Sequence, residues 1–313
     1  MILTVTPNPA LDLTWHVAAL AIGHTHRADA GAVRAGGKGL NVARVAHAQG
    51  ADVLAIATAG GSTGEEFATE LRASGVPHLL VPVQAPTRRS AALVDERLGD
   101  TTIVNERGVN PTDDEWASLR RAVEDALPAA SVLVISGSLP PGAPEGALSS
   151  LIAAGRGAGL PVIVDTSGPA LLHAADAGAT ALKPNAAELA EATGRSDPAD
   201  GAHDLIGRGA ELVLVSLGSD GMLAVTASGI HRARLPEPLA GNPTGAGDAA
   251  VAACAVLLAA GVREPAEILR RATAWSAAAV LMPLAGEIDA GWPELEQRVE
   301  ISALPGRREE EQA

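Results

Sequence analysis

One stretch organises this sequence: Gly241-Asn242-Pro243-Thr244-Gly245-Ala246-Gly247-Asp248. Its turn-forming residues lead directly into an apolar segment, residues 249–260, that is long enough for about three helical turns. The start of such a helix carries free N–H groups and the positive end of the helix dipole, which both favour a bound anion. Small residues also let a ligand come close to the backbone. The stretch therefore predicts an anion-binding helix start.

Asp248 places a single carboxylate in the first turn of that predicted helix. One interpretation is structural, since Asp is common at helix starts and stabilises them. The other is chemical: the anion is a phosphoryl group in transfer, and Asp248 takes the proton of the attacking hydroxyl. The motif alone leaves both interpretations open.

Composition excludes several functional classes. The chain has 313 residues, 47% of them hydrophobic and 19% charged, as expected for one large α/β domain. Its net charge of −14 argues against nucleic acid or an anionic membrane as the main partner. Apolar runs are too short to span a bilayer. A single cysteine, Cys254, and an N-terminus without a signal-peptide pattern predict a cytoplasmic location.

The basic residues are almost all arginines, and the two exceptions are Lys38 and Lys183. Both lysines fall in turns that precede predicted helices, residues 42–49 and 186–193. A lysine presents a compact charge where an arginine presents a planar fork, so a tight phosphate site can require it. The turn at residues 35–41 is glycine-rich but is not a Walker A loop, because Ala32 and Gly39 stand where that motif needs Gly and Ser or Thr.

Apolar strands and helices alternate along most of the chain. The strands predicted at residues 132–136 and 162–165 are fully apolar and are joined by a predicted helix at 145–155, which indicates a parallel sheet buried on both faces. In such sheets ligands bind beyond the carboxyl ends of the strands. Polar loops follow four predicted strands there, at residues 136–142, 165–167, 183–185 and 216–221.

Together these motifs resemble the PfkB-type, ribokinase-like family of sugar kinases, over about residues 4–286. Gly36-Gly37-Lys38-Gly39-Leu40-Asn41-Val42-Ala43 is similar to the N-terminal signature of the family, and residues 242–248 are similar to the C-terminal one. Asn185-Ala186-Ala187-Glu188 is similar to the N-x-x-E motif between them. By itself this last segment is equally typical of a helix N-cap with its capping-box glutamate.

The resemblance implies a ribokinase-like three-layer α/β/α sandwich with a mainly parallel sheet. It also implies a single kinase domain over residues 1–313 and a small β-sheet lid, formed by about residues 11–17, 27–33, 90–94 and 101–105. A lid that closes over substrate excludes water from the reaction. In relatives such lids often pair between subunits, so we expect a homodimer through the lid. The tail from residue 307 is predicted to be solvated.

Within the family, the closest resemblance is to 1-phosphofructokinase and tagatose-6-phosphate kinase. It is carried by Thr6-Pro7-Asn8-Pro9-Ala10-Leu11-Asp12, by Lys38 between two glycines and by Thr87-Arg88. The chain departs from that branch at Arg89-Ser90, where an apolar residue and Asn are usual. The implied substrate is fructose 1-phosphate, with tagatose 6-phosphate or fructose 6-phosphate as alternatives. Free sugars, and a catalytically inactive ligand-binding relative, remain further alternatives.

The resemblance also implies a role for each matching residue, with ATP and Mg²⁺ as cosubstrate and cofactor. The implied catalytic residues are Asp248, Gly245, Ala246 and Gly247; the sugar-phosphate ligands are Asp12, Gly37, Lys38, Asn41, Arg88 and Ser136; the nucleotide ligands are Lys183, Asn185, Ser216, Gly218, Gly221, Gly245 and Gly247; and Asn185 and Glu188 hold Mg²⁺ through water. With no Tyr and one Phe in the chain, adenine is expected between small and aliphatic side chains of residues 274–280. Phe67 and the tryptophans are expected to pack in the core or on the surface.

Two other enzyme classes fit single motifs. Residues 245–250 match G-x-G-x-x-A of dinucleotide-binding dehydrogenases, but that fingerprint follows a strand in an early βαβ unit, and here it comes late after a proline-containing loop. A metal-dependent hydrolase would need clustered ligands, whereas His24 and His26 are the only closely spaced histidines. Both classes fit the sequence less well than a sugar kinase.

Overall fold

The computed structural model describes residues 1–237 and 239–304. The tail that was predicted to be solvated lies outside the described residues. Within the described ranges, ten strands form a main sheet and four form a separate small sheet. None of the helices in these ranges combines the length and the apolar character that crossing a membrane requires.

The strands follow the apolar and β-branched runs of the sequence. In chain order they are β1 (Ile2–Thr6), β2 (Ala10–Val17), β3 (Ala32–Gly36), β4 (Val53–Ala59), β5 (His78–Pro82), β6 (Arg88–Asp95), β7 (Asp100–Asn105), β8 (Val132–Ser136), β9 (Val162–Asp165), β10 (Ala181–Leu182), β11 (Leu212–Ser216), β12 (Met222–Thr226), β13 (Gly229–Arg234) and β14 (Glu300–Leu304).

The helices alternate with these strands. They are α1 (Lys38–Ala48), α2 (Gly61–Ala73), α3 (Asp113–Ala126), α4 (Ala147–Gly157), α5 (Pro169–Asp176), α6 (Ala186–Thr193), α7 (Pro198–Arg208), α8 (Ala246–Ala259), α9 (Pro265–Val280) and α10 (Trp292–Arg298). Several begin with signals readable in the sequence: α3 has a capping box between Thr112 and Glu115, and α7 begins after the capping residue Asp197.

The main sheet has the order β14-β13-β12-β11-β10-β9-β8-β1-β4-β5. The strands from β11 to β5 pair in parallel, and β12, β13 and β14 extend the sheet in antiparallel fashion. β1 is an interior strand and is buried along its whole length because helices cover both faces of the sheet. One apolar core contains buried residues of α1, α2, α8 and α9, and the other contains those of α3, α4, α5 and α7. The predicted three-layer α/β/α sandwich is confirmed.

Helix α8 is apolar around its whole circumference. Its alanine-rich sequence lets it pack closely between α1, α9 and the sheet, and ten of its residues are buried. A helix of this kind cannot lie on the surface. Its first turn, which contains Asp248, is therefore held firmly at the carboxyl edge of the parallel strands.

The small sheet, here called the lid, has the order β3-β2-β6-β7. Three of its four strands lie where the sequence predicts them, but the strand predicted at residues 27–33 is misplaced. β3 spans Ala32–Gly36, where it pairs with β2 from Thr14 to Ala10, while residues 27–31 are irregular and almost all exposed. Pairing with β2 decides the position of β3, and the pattern of residues 27–33 alone does not contain that information.

Helix α1 begins four residues earlier than predicted. Its first residue is Lys38, after the N-cap Gly37, whereas the sequence indicated a turn as far as residue 41. Packing between α1, the sheet and α8 compensates for the weak helix propensity of Gly39, which is fully enclosed beside Thr6. As a consequence Lys38 and Asn41 belong to the first turn of a helix.

Candidate active site

A cleft of about 1080 Å³ lies between the lid and the carboxyl ends of the parallel strands. This volume is at the upper end of the range for ligand pockets, about 300–1,000 Å³. All four polar loops predicted to meet at this edge contribute to its walls. It is also lined by all but one of the predicted site residues: Asp12, Gly37, Lys38, Asn41, Arg88, Lys183, Asn185, Glu188, Ser216, Gly218, Gly221, Gly245, Ala246, Gly247 and Asp248.

The start of α8 (residues 245–248) opens into the middle of this cleft. Gly245 is its N-cap with a φ of 85°, and a Cβ there would lie 2.8 Å from the Cα of Ala285, so only glycine fits. The N–H of Ala246 donates to the carbonyl of Pro243 at 3.2 Å, which differs from the expectation that it faces an anion. Among the described residues, the N–H groups of Gly245, Gly247 and Asp248 have no such partner.

The carboxylate of Asp248 lies inside the cleft wall, only 6% exposed. Its Oδ2 accepts a hydrogen bond from Nδ2 of Asn41 at 2.8 Å. Burial, together with the negative charge of Asp165, raises the pKa of Asp248 to about 7, although Lys38 opposes the shift. A carboxylate with a pKa near neutrality is well matched to accept a proton from a substrate hydroxyl.

This hydrogen bond changes the interpretation of Asn41. The sequence assigned Asn41 to the hydroxyls of the substrate, but its amide is engaged with Asp248. Asn41 lies in the first turn of α1, so it connects the two helix starts that meet at the cleft. We therefore interpret it first as a residue that orients the carboxylate of Asp248.

Asp165 is the site residue that the sequence analysis did not assign. It ends β9 and is fully buried, and both lysines of the chain converge on its carboxylate. Its Oδ1 accepts a hydrogen bond from Nζ of Lys38 at 3.3 Å and lies 3.7 Å from Nζ of Lys183. Burial opposes the charged form, but Lys183 and Lys38 outweigh it and hold the pKa of Asp165 below its ordinary value. Its position at the end of an apolar strand was the available signal.

Ser136 is the exception among the predicted ligands. It is fully buried at the end of β8, in register with Asp165 on β9, and its hydroxyl donates to Oδ2 of Asp165 at 3.2 Å. Ser136 does not line the cleft. Its predicted role as a substrate ligand is therefore replaced by a structural one, the orientation of Asp165.

Asn185 and Glu188 form a capping box at the start of α6. Oδ1 of Asn185 accepts from the N–H of Glu188, and Oε2 of Glu188 accepts from the N–H of Asn185. The other carboxylate oxygen, Oε1, lies 3.8 Å from Nζ of Lys38 at the cleft. The capping interpretation is thus observed, and one oxygen of Glu188 stays available toward the cleft.

A polar row crosses the whole lid on the face that meets the cleft. Arg34, Asp12, Ser90 and Asn105 stand in register on β3, β2, β6 and β7, so their side chains share one face. Asp12, Ser90 and Asn105 line the cleft. Burial raises the pKa of Asp12 to about 6 against the opposing charges of Arg88 and Arg34. Asn105 was identified from the sequence only as part of a strand.

Arg88 is held in place by main-chain carbonyls. Nε and Nη2 donate to the carbonyl of Asn8 at 3.2 and 3.1 Å, and Nη1 donates to the carbonyl of Glu106 at 3.0 Å. The guanidinium is therefore oriented at the cleft wall before any ligand arrives. A group fixed in this way loses little conformational entropy on binding.

The opposite end of the cleft is lined by the loop after β11 and by α9. Ser216, Gly218 and Gly221 form one wall, and the small or aliphatic side chains of residues 273, 276, 277 and 280 form the other. Within the described residues, no aromatic side chain lines the cleft. Phe67 and Trp275 are instead fully packed in the core. The expected surroundings of a purine ring, small and aliphatic, are present here.

A comparison with protein-family models matches residues 9–289 to the pfkB family carbohydrate kinase model. The match covers most of the chain. The chain belongs to the pfkB family of carbohydrate kinases. The family, the enzyme class of sugar phosphotransferases and the ribokinase-like fold that the sequence predicted are therefore confirmed.

Several pfkB relatives are similar over nearly their whole length. The chain is 36% identical over 283 residues to 1-phosphofructokinase of Xanthomonas campestris pv. campestris, which covers 88% of this chain and 89% of the relative. It is 36% identical over 310 residues to ATP-dependent 6-phosphofructokinase isozyme 2 of Mycobacterium tuberculosis, and the match covers 97% of this chain and 90% of the relative.

Solved structures of the pfkB family agree with this fold. Phosphofructokinase-2 from Escherichia coli in complex with fructose-6-phosphate superposes with a TM-score of 0.82 at 34% identity, covering 89% of this chain and 93% of that one. The agreement includes a large, mostly parallel sheet and a separate small sheet, which are the two walls of the cleft.

Proposed function

We propose that the chain is a 1-phosphofructokinase, which transfers the γ-phosphoryl group of MgATP to the free primary hydroxyl of fructose 1-phosphate. One observation carries this proposal. The carboxylate of Asp248, with a pKa of about 7, lies at an open helix start in the same cleft as the ammonium group of Lys38. A base, an anion-binding backbone and a phosphate-binding cation are what this transfer requires.

In the proposed reaction, Asp248 accepts the proton of the sugar's hydroxyl as that oxygen attacks the γ-phosphorus. The bond from that phosphorus to the β–γ bridging oxygen breaks, and ADP leaves. The N–H groups of Gly245 and Gly247 stabilise the charge on the transferring group. Losing one such donor commonly costs on the order of 10²–10³ in rate. The Ala246 amide is engaged in its own turn, so we assign it no direct contact.

The existing phosphate of the sugar is assigned to Lys38 and Arg88, on opposite walls of the cleft. Burial alone lowers the pKa of a lysine, but Asp165 dominates and keeps Lys38 fully charged, its pKa raised above the ordinary value. Asp12, in the polar row of the lid, is assigned to the sugar hydroxyls, where a carboxylate oxygen accepts hydrogen bonds. Gly37 lets the substrate approach the α1 backbone.

The nucleotide is assigned to the end of the cleft formed by Ser216, Gly218 and Gly221. Lys183 lies near the start of α8, because a Cβ placed on Gly247 would be 3.0 Å from its Nζ. From there Lys183 can contact the ATP phosphates.

The residues present suit an ion that is bound mainly by phosphates and water. Within the described part of the chain, no cluster of three or more His, Cys, Asp or Glu side chains could hold a metal. Mg²⁺ prefers oxygen ligands and retains its waters, which fits the single available carboxylate oxygen of Glu188, with Asn185 fixing its orientation. When bound, Mg²⁺ would neutralise negative charge on the ATP phosphates.

A second candidate is 6-phosphofructokinase. It is favoured by the 36% identity over 310 residues to the 6-phosphofructokinase isozyme 2 of Mycobacterium tuberculosis. Ser90 and Asn105 are adjacent in the polar row, so they would contact the same part of the sugar. Tagatose-6-phosphate kinase acts on a stereoisomer of fructose 6-phosphate, so the assay below also includes tagatose 6-phosphate.

The deciding experiment is an ADP-release assay with MgATP and fructose 1-phosphate, fructose 6-phosphate, tagatose 6-phosphate or fructose. We expect the highest kcat/KM with fructose 1-phosphate. A higher value with fructose 6-phosphate would establish the second candidate. The matched control is Asp248→Asn. Equal, measurable ADP release by both proteins would contradict Asp248 as the base, and no release above background by the wild type on any sugar would identify a non-catalytic, ligand-binding relative.

We also propose a homodimer through the lid and a cytoplasmic location, where MgATP is available. The lid exposes two apolar side chains, Val33 and Val104, on the face opposite the polar row, where a partner would cover them. Sedimentation of the wild type at twice the mass of the Val104→Asp variant would support the dimer. Equal masses would refute it.

A further inference from the structure

We propose that Arg34 and Glu287 form a positioning pair that couples the lid to the start of α8. Nη2 of Arg34, on β3, lies 3.0 Å from Oε1 of Glu287, in the loop after α9. The side chain of Arg34 is 16% exposed and that of Glu287 is 38% exposed. This ion pair joins the lid strand β3 to the loop after α9, two segments that are far apart in the sequence. Its catalytic readout rests on the proposed kinase function.

On the lid side, Arg34 belongs to the polar row that crosses the cleft face. It stands directly opposite Asp12 on β2, so a rotation of β3 moves the carboxylate that is assigned to the sugar. A second nitrogen of Arg34, Nη1, is buried without a hydrogen-bond partner in the described structure. Glu287 and the facing carboxylate of Asp12 are therefore the negative charges that compensate this guanidinium.

On the other side, Glu287 lies within the loop between α9 and α10, which packs against both helix starts. A Cβ on Gly286 would meet Oδ1 of Asn41 at 3.2 Å, and Ala285 is the residue in contact with Gly245. The same loop accepts a hydrogen bond from Asn242 through the carbonyl of Pro283, at 3.0 Å. Displacement of Glu287 would thus reach the α8 start through direct packing.

A neighbouring ion pair, Arg44 with Glu70, is more buried than Arg34 with Glu287 and holds the end of β3 in place. Nη2 of Arg44 donates to Oε2 of Glu70 at 2.6 Å and to the carbonyl of Ala35 at 3.1 Å, and the same Oε2 accepts from the N–H of Ala35 at 2.7 Å. This network anchors β3 to α1 and α2. Arg34, one residue earlier, is held by the more exposed Glu287, so it can be released while the anchor stays.

The exposure of Glu287 limits what the pair contributes to folding. Pairs with a solvent-exposed partner are screened and contribute little to stability. Breaking this one should change the position of the lid strand more than it changes the melting temperature. The variant Glu287→Gln keeps the shape of the side chain and removes its charge, which makes it the informative change.

We expect Glu287→Gln to raise KM for the sugar phosphate about fivefold, the effect of roughly 1 kcal/mol, with a smaller change in kcat. We expect faster amide exchange in β3 of the ligand-free protein, because the lid strand is no longer tied to the loop. Arg34→Lys, which keeps the charge, should retain most of the wild-type KM. A double-mutant cycle with Arg34→Gln should be non-additive, with the double variant no worse than Glu287→Gln.

The matched control is Glu211→Gln. It breaks the 2.7 Å pair between Glu211 and Arg156, which lies at the amino ends of the parallel strands, away from the cleft. It should change neither the KM for the sugar phosphate nor the amide exchange rate of β3. An unchanged exchange rate in β3, an unchanged KM or an additive cycle would each overturn the positioning pair. If the wild type turns over none of the sugars, the proposed function fails while the exchange measurement, which needs no substrate, still decides whether the pair holds the lid.

Discussion

The start of α1 (residues 37–41) and the start of α8 (residues 245–248) use the same backbone device. Each begins after a glycine with positive φ, 119° at Gly37 and 85° at Gly245, and each opens into the same cleft. They differ in the charged side chain of the first turn. The α1 start has Lys38 and no acidic residue, whereas the α8 start has Asp248.

Because of that difference, the two helix starts are suited to different steps, phosphate binding at α1 and proton removal at α8. A cation beside free N–H groups strengthens the binding of a phosphate, so the α1 start is suited to the phosphate that stays on the sugar. A carboxylate in the same place weakens static anion binding but can remove a proton. The bond from Asn41 to Asp248 ties the two starts together and fixes their separation.

The most severe test of this division is Asp248→Asn. We expect kcat to fall by about 10³, within the range for a general base, with little change in KM for the sugar phosphate. Steady-state ADP release measures both. If Lys38→Met lowered kcat as much as Asp248→Asn does, the proposed division between base and phosphate ligand would be wrong.

The same substitution has a predicted effect on stability. The pKa of Asp248 is raised from 3.8 to about 7, so the folded protein keeps a proton that the unfolded chain has lost. The stability contributed by this carboxyl is complete below pH 3.8 and is lost as the pH rises through 7. Asp248→Asn should therefore melt at a higher temperature than the wild type at pH 8, and the difference should shrink at pH 5. Thermal unfolding at both pH values checks this.

The next largest effect is expected for Gly245→Ala. The added Cβ would collide with Ala285 and require an unfavourable φ, which displaces the amides of the α8 start. We expect kcat to fall by about 10². The matched variant Gly37→Ala should act mainly on the KM of the sugar phosphate. Circular dichroism establishes that both variants fold, and identical kinetic profiles would contradict separate roles for the two starts.

A smaller effect is expected for Lys38→Met. Losing a charged hydrogen bond to phosphate should raise KM for fructose 1-phosphate about tenfold or more, with ATP affinity nearly unchanged. Fructose, which lacks the phosphate, provides the internal control, because its KM should not change. A parallel rise in the KM of ATP would place Lys38 at the nucleotide instead.

The smallest effect is expected for Asn41→Ala. The hydrogen bond from Asn41 favours the charged form of Asp248, so its loss should raise the pKa of that carboxyl. We expect the acid limb of the plot of kcat/KM against pH to shift from about pH 7 to about one pH unit higher. Activity above pH 9 should recover most of the wild-type value. An unshifted limb with a raised sugar KM would restore the original interpretation of Asn41 as a substrate ligand.

Local patterns predicted much of this site because they depend on few neighbours. Glycines before an apolar helix, a capping box at residues 185–188 and fully apolar strands that end in polar loops are signals within short windows. They located the cleft edge, and the resemblance to the pfkB family supplied 15 of the residues that line it. The start of α1 and the position of β3 were misplaced, because pairing and packing with distant segments override weak local propensity. The helices α5 and α7 were missed, although the capping residue Asp197 marks the start of α7.

One physical reason explains why the structure gives Ser136 and Asn41 other contacts than the sequence predicted. Ser136 and Asn41 carry groups that suit a sugar hydroxyl equally well, but each is engaged by a buried carboxylate from a distant segment, Asp165 and Asp248. The sequence by itself determined the layered fold through the periodicity of its apolar runs, and it determined the family and the chemical types at the cleft through motifs that resemble those of known sugar kinases. Only the tertiary structure decided which polar groups face the ligand and which face each other, because that depends on strand register, on burial and on contacts between residues that are 29 positions apart in one pair and 207 in the other.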